Sequence, residues 1–207
     1  MNRYISMAEK LAKRFEKESL YLCDLDRQAG DGDHGITIAR GFEEAWKCVA
    51  ELPEETPASE ICKEIGYGML QSMGGASGPI FSTFFIQASI VLREKEGWDE
   101  ESFVKTIDAT ITGIHDLTGT KRGEKTMLDA LYGSQDYLKK NKPESMKEAV
   151  LSAYQGAKEG AEKTKEMQAT KGRAKFLGER SKGFMDAGSC SVCFLFETIA
   201  EVFGGEG

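Results

Sequence analysis

Three aspartates fall within eight positions in the stretch LDRQAGDGDHGITIARGF, residues 25–42: Asp26, Asp31 and Asp33, interleaved with Gly30 and Gly32 and followed by Gly35. Like charges this close raise one another's energy unless a cation sits among them. In a glycine-rich loop the spacing D-x4-D-x-D can bring three carboxylates to one point. An all-carboxylate donor set suits a hard cation, Mg²⁺ or Ca²⁺, rather than zinc. An EF-hand is excluded, because counting from Asp24 or Asp31 puts neither Gly at position six nor Glu at position twelve. A compact triad leaves coordination positions for water and phosphate oxygens, the usual way Mg²⁺ is held beside a nucleotide. The competing reading makes Asp33 a helix N-cap and leaves the other two solvated. His34, next in the chain, is either a structural hydrogen bonder or a neutral imidazole donating to a phosphate oxygen.

Three more stretches carry complementary chemistry. SMGGASGPIF, residues 72–81, sets Gly74, Gly75, Ala76, Ser77 and Gly78 before a helix expected to begin at Pro79. Backbone N–H groups, a helix N-terminus and a serine hydroxyl together make an anion site. GTKRGEKT, residues 119–126, falls short of a Walker A motif, having G-x3-G-E-K-T after a helical run in place of G-x4-G-K-[ST] after a strand. A P-loop is rejected, and Lys121, Arg122 and Lys125 are assigned to balancing anionic charge. Met127, just beyond, could pack on a planar base or be an ordinary core residue. GRAKFLGERSKGFMDAGSCS, residues 172–191, is long enough to be a lid or binding loop, with Arg173 as a forked phosphate donor and Asp186-Ala187-Gly188-Ser189 as a turn into the last helix.

The elements that position these loops read as helices throughout. Apolar residues recur at helical spacing over residues 3–22 and from the acidic loop to about Leu52, with Ile38, Phe42 and Val49 on one face. Thr56-Pro57 opens a third helix, Pro79 a fourth that is apolar on most sides, Asp99 a fifth, Thr126 a sixth and Pro143 a seventh. CSVCFLFETIAEVF forms the eighth, and no β-branched run of period two predicts a strand. An all-α single domain follows. The glycine-rich stretches come after helices one, three, five and seven, so in an antiparallel bundle all four open at one end.

The bulk properties agree. With 207 residues, 40% hydrophobic and 29% charged, the chain can bury a core and is not disordered. A net charge of −7 argues against nucleic acid or an anionic membrane as partner. No apolar run is long enough for a membrane span, the N-terminus does not read as a secretory signal, and the five cysteines read as core thiols, so a cytoplasmic location is expected.

ESLYLCDLDRQAGDGDHGITIARGF, GGASGPIFSTFF, GEKTMLDAL and KGRAKFLGERSKGFMDAGSCS, in that order from about residue 18 to the last helix, closely resemble the ADP-binding L subunits of bacterial dihydroxyacetone kinases. The resemblance implies an antiparallel eight-helix barrel and one nucleotide-binding domain over residues 1–207. It implies that Asp26, Asp31 and Asp33 hold two Mg²⁺ ions on the phosphates of ADP or ATP. His34, Gly35, Ile36, Thr37, Ala76 and Ser77 would line the nucleotide. Gly119 and Met127 fall at further contact positions, although the 119–123 loop is one residue shorter than the pattern. Arg173, Asp186, Ala187 and Gly188 would close over the ligand.

Partners implied are a ketose-binding K subunit and a phosphohistidine carrier, the M subunit, fed by phosphoenolpyruvate. A homodimer is left open. Thr37 stands where such subunits often have Asn, and Ala187 where proline is common. The resemblance leaves two other readings: an ATP-dependent kinase subunit for another short ketose such as erythrulose, and a nucleotide-sensing module for a transcription regulator.

Overall fold

A computed structural model describes residues 2–75 and 77–205. Eight α-helices form among them: α1 (Arg3–Asp26), α2 (His34–Val49), α3 (Ala58–Ser72), α4 (Ser77–Val91), α5 (Glu100–Thr118), α6 (Met127–Asn141), α7 (Met146–Lys163) and α8 (Ala187–Phe203). Two short 3₁₀ segments, Thr164–Glu166 and Ala174–Ser181, lie between α7 and α8, and the described residues contain no strand. Each helix packs on the next in sequence, and α8 returns to α1, closing the ring. The all-α, single-domain expectation holds. Among the described residues, no helix is long and apolar enough to cross a membrane.

The helix boundaries have local causes. At α5, Asp99 accepts from the Ser102 backbone N–H at 2.8 Å while the Ser102 hydroxyl accepts from the Asp99 N–H at 3.0 Å, a reciprocal capping box. Ser145 caps α7 by accepting from Glu148 N–H, so α7 starts three residues after Pro143. The helix after the glycine-rich turn begins at Ser77, two residues before Pro79; proline is tolerated there because first-turn N–H groups have no helical partner.

Aromatic side chains fill the axis of the barrel. Phe15 of α1 stacks on Phe42 of α2 with centroids 4.1 Å apart, and Phe81, Phe84, Phe85, Phe103 and Phe196 are all buried around them. At the closed end, the Tyr4 hydroxyl accepts from the Trp98 backbone N–H at 2.6 Å, tying α1 to the α4–α5 connection. α6 and α7 approach through glycine: a Cβ on Gly133 would stand 2.1 Å from the Gly156 carbonyl oxygen.

Candidate functional site

Residues from all four glycine-bearing connections line one cavity of about 640 Å³ at the open end of the barrel. The first residues of α2, α4, α6 and α8 (His34, Ser77, Met127 and Ala187) are all on its wall. Four helix N-termini therefore converge there, each with unpaired N–H groups and the positive end of its dipole, and the field favours an anion.

The aspartates are the exception to that field. α1 runs four residues further than expected, so Asp26 is its last helical residue and anchors the loop rather than floating in it. One Asp26 carboxylate oxygen accepts from the Gly32 N–H at 2.9 Å and the His34 N–H at 3.4 Å, folding the loop back over the helix end. Gly32 turns with φ of +76°, a conformation that glycine enters without steric cost, and a Cβ on Gly30 would sit 2.3 Å from the second Asp26 oxygen. Asp33 occupies the N-cap position of α2 without a side-chain capping bond, so its carboxylate is free to turn outward.

Oxygens from Asp26, Asp31 and Asp33 lie within 4.8 Å of one another. Desolvation, then the adjacent Asp31 and Asp26 charges, push the Asp33 carboxyl above its ordinary range. Three hard oxygen donors at this separation, with two of the side chains exposed, fit a divalent cation that keeps other coordination positions open. The Arg173 guanidinium reaches across from the α7–α8 segment and pairs with Asp31.

His34 departs from the expected phosphate donor. Its Nε2 lies 2.8 Å from Ser191 Oγ, and its Nδ1 lies 3.5 Å from Ser77 Oγ. The Ser191 hydroxyl donates to the Ala187 carbonyl, so it accepts from Nε2–H, and Nδ1 is left as an acceptor toward Ser77. Burial holds the imidazole below its ordinary pKa, hence neutral at pH 7. His34 thus orients Ser77; it does not present an N–H to the mouth.

Thr37, Met127, Arg173, Asp186, Ala187 and Gly188 also line the cavity. Three expected contacts do not. Gly35 is buried against α1, Ile36 points outward with 60% exposure, and Gly119 caps α5 in the left-handed region while Thr118 and Thr120 on either side face the cavity. Ala76 lies outside the described residues. Of the three cations expected to balance charge, Arg122 pairs with Asp136 on α6, Lys121 is exposed, and Lys125 alone lines the cavity.

Ile80, Ile114, Leu128 and Met185 give the cavity an apolar side suited to a planar ring, with Ile80 and Met185 half-buried and Ile114 and Leu128 part of the core behind them. Ser191 was hidden in the sequence, as a small polar residue in an apolar helix.

The 172–191 stretch is not the irregular loop expected, since Ala174–Ser181 is 3₁₀ on either side of a kink at Gly178 and residues from Ala187 on belong to α8. The Ala169 N–H donates to Ser181 Oγ at 2.8 Å, and the Gly183 N–H to the Lys165 carbonyl at 2.8 Å, pinning its two stems together. α8 starts at Ala187, three residues earlier than expected, with Asp186 as N-cap accepting from the Ser189 N–H at 2.7 Å. Burial pushes the Asp186 carboxyl up to about 6.

Comparison with known proteins adds four matches. The profile of the DAK2 domain matches residues 28–201. The chain is 36% identical over 189 residues to the "PEP-dependent dihydroxyacetone kinase 1, ADP-binding subunit DhaL" of Listeria innocua serovar 6a, covering 91% of this chain and 90% of that one. It is 37% identical over 190 residues to the corresponding Escherichia coli K12 subunit, covering 90% and 89%. Among solved structures, the dihydroxyacetone kinase from C. freundii in complex with AMP-PNP and Mg²⁺ superimposes with a TM-score of 0.70 at 26% identity. That match covers 95% of this chain but 33% of the kinase, so the chain spans one third of that larger protein.

Proposed function

The chain belongs to the DAK2 domain family, and from that premise we propose that it is the nucleotide-binding subunit of a phosphoenolpyruvate-driven dihydroxyacetone kinase, acting as one domain over residues 1–207. It holds Mg-ADP or Mg-ATP and passes a phosphoryl group, received from a phosphohistidine carrier subunit, to dihydroxyacetone on a partner K subunit. The observation that carries this reading is the aspartate triad, its oxygens within 4.8 Å of one another, set where four helix N-termini meet. The match over nine-tenths of both chains to free-standing ADP-binding subunits supports it.

Asp26, Asp31 and Asp33 would hold the divalent ions, two by family resemblance, and a bound Mg-nucleotide would supply phosphate oxygens with neutralised charge and a transferable phosphoryl group. The chain's own contribution is alignment. Gly74, Gly75 and Ser77 line the wall, where backbone N–H groups are the donors for phosphate, while the Ser77 hydroxyl is held by its own bond to His34. Arg173 offers two forked donors from above. Met127 and the Asp186–Gly188 entry to α8 bound the apolar side, where a nucleoside would sit. No nucleophile–base pair is needed, because the attacking oxygen belongs to the ketose on the partner. Ile36, Leu117 and Phe176, respectively 60%, 60% and 79% exposed near the mouth, suit coverage by that partner.

The test is reconstitution with a cognate K subunit and phosphocarrier, after native mass spectrometry for co-purified ADP and divalent ions. Expected are retained ADP, its rephosphorylation by the carrier, and phosphorylated dihydroxyacetone as product. Free exchange with ATP and turnover without the carrier would instead identify an ATP-dependent kinase subunit, for this or another short ketose. Failure to phosphorylate any small ketose would favour a sensing module.

Arg173→Ala separates binding from folding. The Arg173–Asp31 pair is mostly exposed, 69% and 39%, and such pairs add at most about 1 kcal/mol to stability. A charge-assisted bond to phosphate contributes about 1.5–3 kcal/mol. Calorimetry should therefore show Mg-ADP affinity falling by roughly tenfold or more, with Tm shifted by no more than about 4 °C. A melting shift well beyond that, in step with the affinity loss, would make Arg173 a structural residue.

A further inference from the structure

Lys125 is the one non-glycine residue besides Lys142 that has positive φ among the described residues, at 59°, and its side chain is only 3% exposed. A lysine is rarely found either strained or buried. Its ammonium donates to the Thr164 carbonyl at 2.6 Å and the Phe184 carbonyl at 2.5 Å, and lies 4.7 Å from the centre of the Phe184 ring. Burial lowers its pKa while the Asp186 and Asp129 carboxylates act to raise it.

The residues on either side join the same seam. The Glu124 carbonyl accepts from the Thr170 N–H at 3.3 Å, and the Thr126 carbonyl accepts from the Ser189 hydroxyl at 2.7 Å. Asp186 N–H donates at 2.9 Å to the hydroxyl of Thr164, whose carbonyl Lys125 holds. Asp129 accepts from the Gly123 and Thr126 N–H groups at 2.5 and 2.8 Å, fixing the turn that presents the lysine. Residues 124–126 are thus bonded in succession to the segment between α7 and α8 and to the first turn of α8. Both sides of that seam border the cavity, Met127 on one and Asp186–Gly188 on the other.

We propose that Lys125 is a positioning residue: its buried ammonium locks the α5–α6 turn to the segment entering α8, and so sets the width of the slot that receives the nucleoside. It touches no phosphate and is not a catalytic residue. Strain at its backbone persists because the bonds of the side chain and of its neighbours over-determine the conformation. The proposal rests on the nucleotide-binding reading above, so its test includes a measurement without nucleotide.

Lys125→Met removes the charge and keeps the length. Lys125→Gly also removes the charge but accepts φ of 59° without strain, giving a variant that folds if Met does not. In the ligand-free chain, hydrogen exchange of the Gly123–Asp129 and Asp186–Ser189 amides should accelerate together by at least tenfold, with the Tyr4–Trp98 end unchanged. Mg-ADP affinity should fall at least tenfold, whereas Mn²⁺ alone should bind the aspartates within twofold of the unaltered chain. Exchange that changes on one side only, or nowhere, overturns the proposal, as does Mn²⁺ affinity falling in step with Mg-ADP affinity. If the unaltered chain binds no nucleotide while the variants still loosen both walls, the kinase reading fails and the lock stands.

Discussion

Asp31→Asn is expected to weaken divalent-ion-dependent ADP binding by at least about 100-fold, roughly 2.7 kcal/mol, with far-UV helicity unchanged. Asparagine keeps the shape and one carbonyl oxygen but loses the charge, and a hard cation held by carboxylates depends on that charge. The fold does not need it. Asp31 is exposed, caps no helix, and its charge pushes up the Asp33 carboxyl, so removal relieves repulsion while giving up an exposed pair with Arg173. In chelator, the variant should melt within about 4 °C of the unaltered chain, equivalent to roughly 1 kcal/mol. Calorimetric titration with Mg²⁺ and ADP, run beside a thermal melt, reads both quantities. A variant that still retains ADP in chelator would remove the metal from the site.

Gly35→Ala should produce the largest loss of stability, and it separates two accounts of one residue. Family resemblance made Gly35 a nucleotide contact, but the structure buries it where α2 crosses α1. An added Cβ would stand 1.9 Å from the Ser19 carbonyl oxygen, 2.8 Å from its carbon and 3.0 Å from the Cys23 nitrogen. All three are backbone atoms of a continuous helix, so no rotamer change can relieve them and α2 must move away from α1. Overpacking of this kind costs about 1–3 kcal/mol or more, and it outweighs the roughly 1 kcal/mol that alanine normally gains over glycine in a helix interior. A Tm lower by roughly 4–8 °C is expected, from about 2 kcal/mol at this chain size. Because Asp33 and His34 begin the same helix, Mg-ADP affinity should fall with it. An unchanged melting temperature with reduced affinity would return Gly35 to the ligand.

The sequence was most legible where chemistry is local. Apolar spacing located all eight helices, and the order of the glycine-rich connections placed four of them at one end before any coordinate was known. The D-x4-D-x-D spacing marked the acidic cluster for the same reason: three short side chains within two turns of loop cannot separate far. Boundaries were harder. The first helix was expected to stop near Leu22, because Asp24 and Asp26 read as loop residues; α1 instead extends to Asp26, whose side chain closes the following turn. Long-range partners left no mark. Nothing near Lys125 in the chain announces Thr164 or Phe184, and nothing in SCSVC reveals that Ser191 sets the imidazole of His34. Ile36 and Gly35 were assigned by family resemblance, yet adjacent helical residues point about 100° apart, which sends one to solvent and the other into a helix crossing.

The stitched stems of the 167–186 segment divide labour along a single stretch of chain. With Ala169 fastened to Ser181 and Lys165 to Gly183, the distance between the two stems leaving the barrel is set by bonds at their base. Beyond Arg173 and Ala174, which line the cavity, the tip where Phe176 stands in solvent is free to diverge in composition without retuning the residues at its base. Exchange of residues 175–180 alone would change the exposed apex while leaving Arg173 and the cavity wall of the recipient in place.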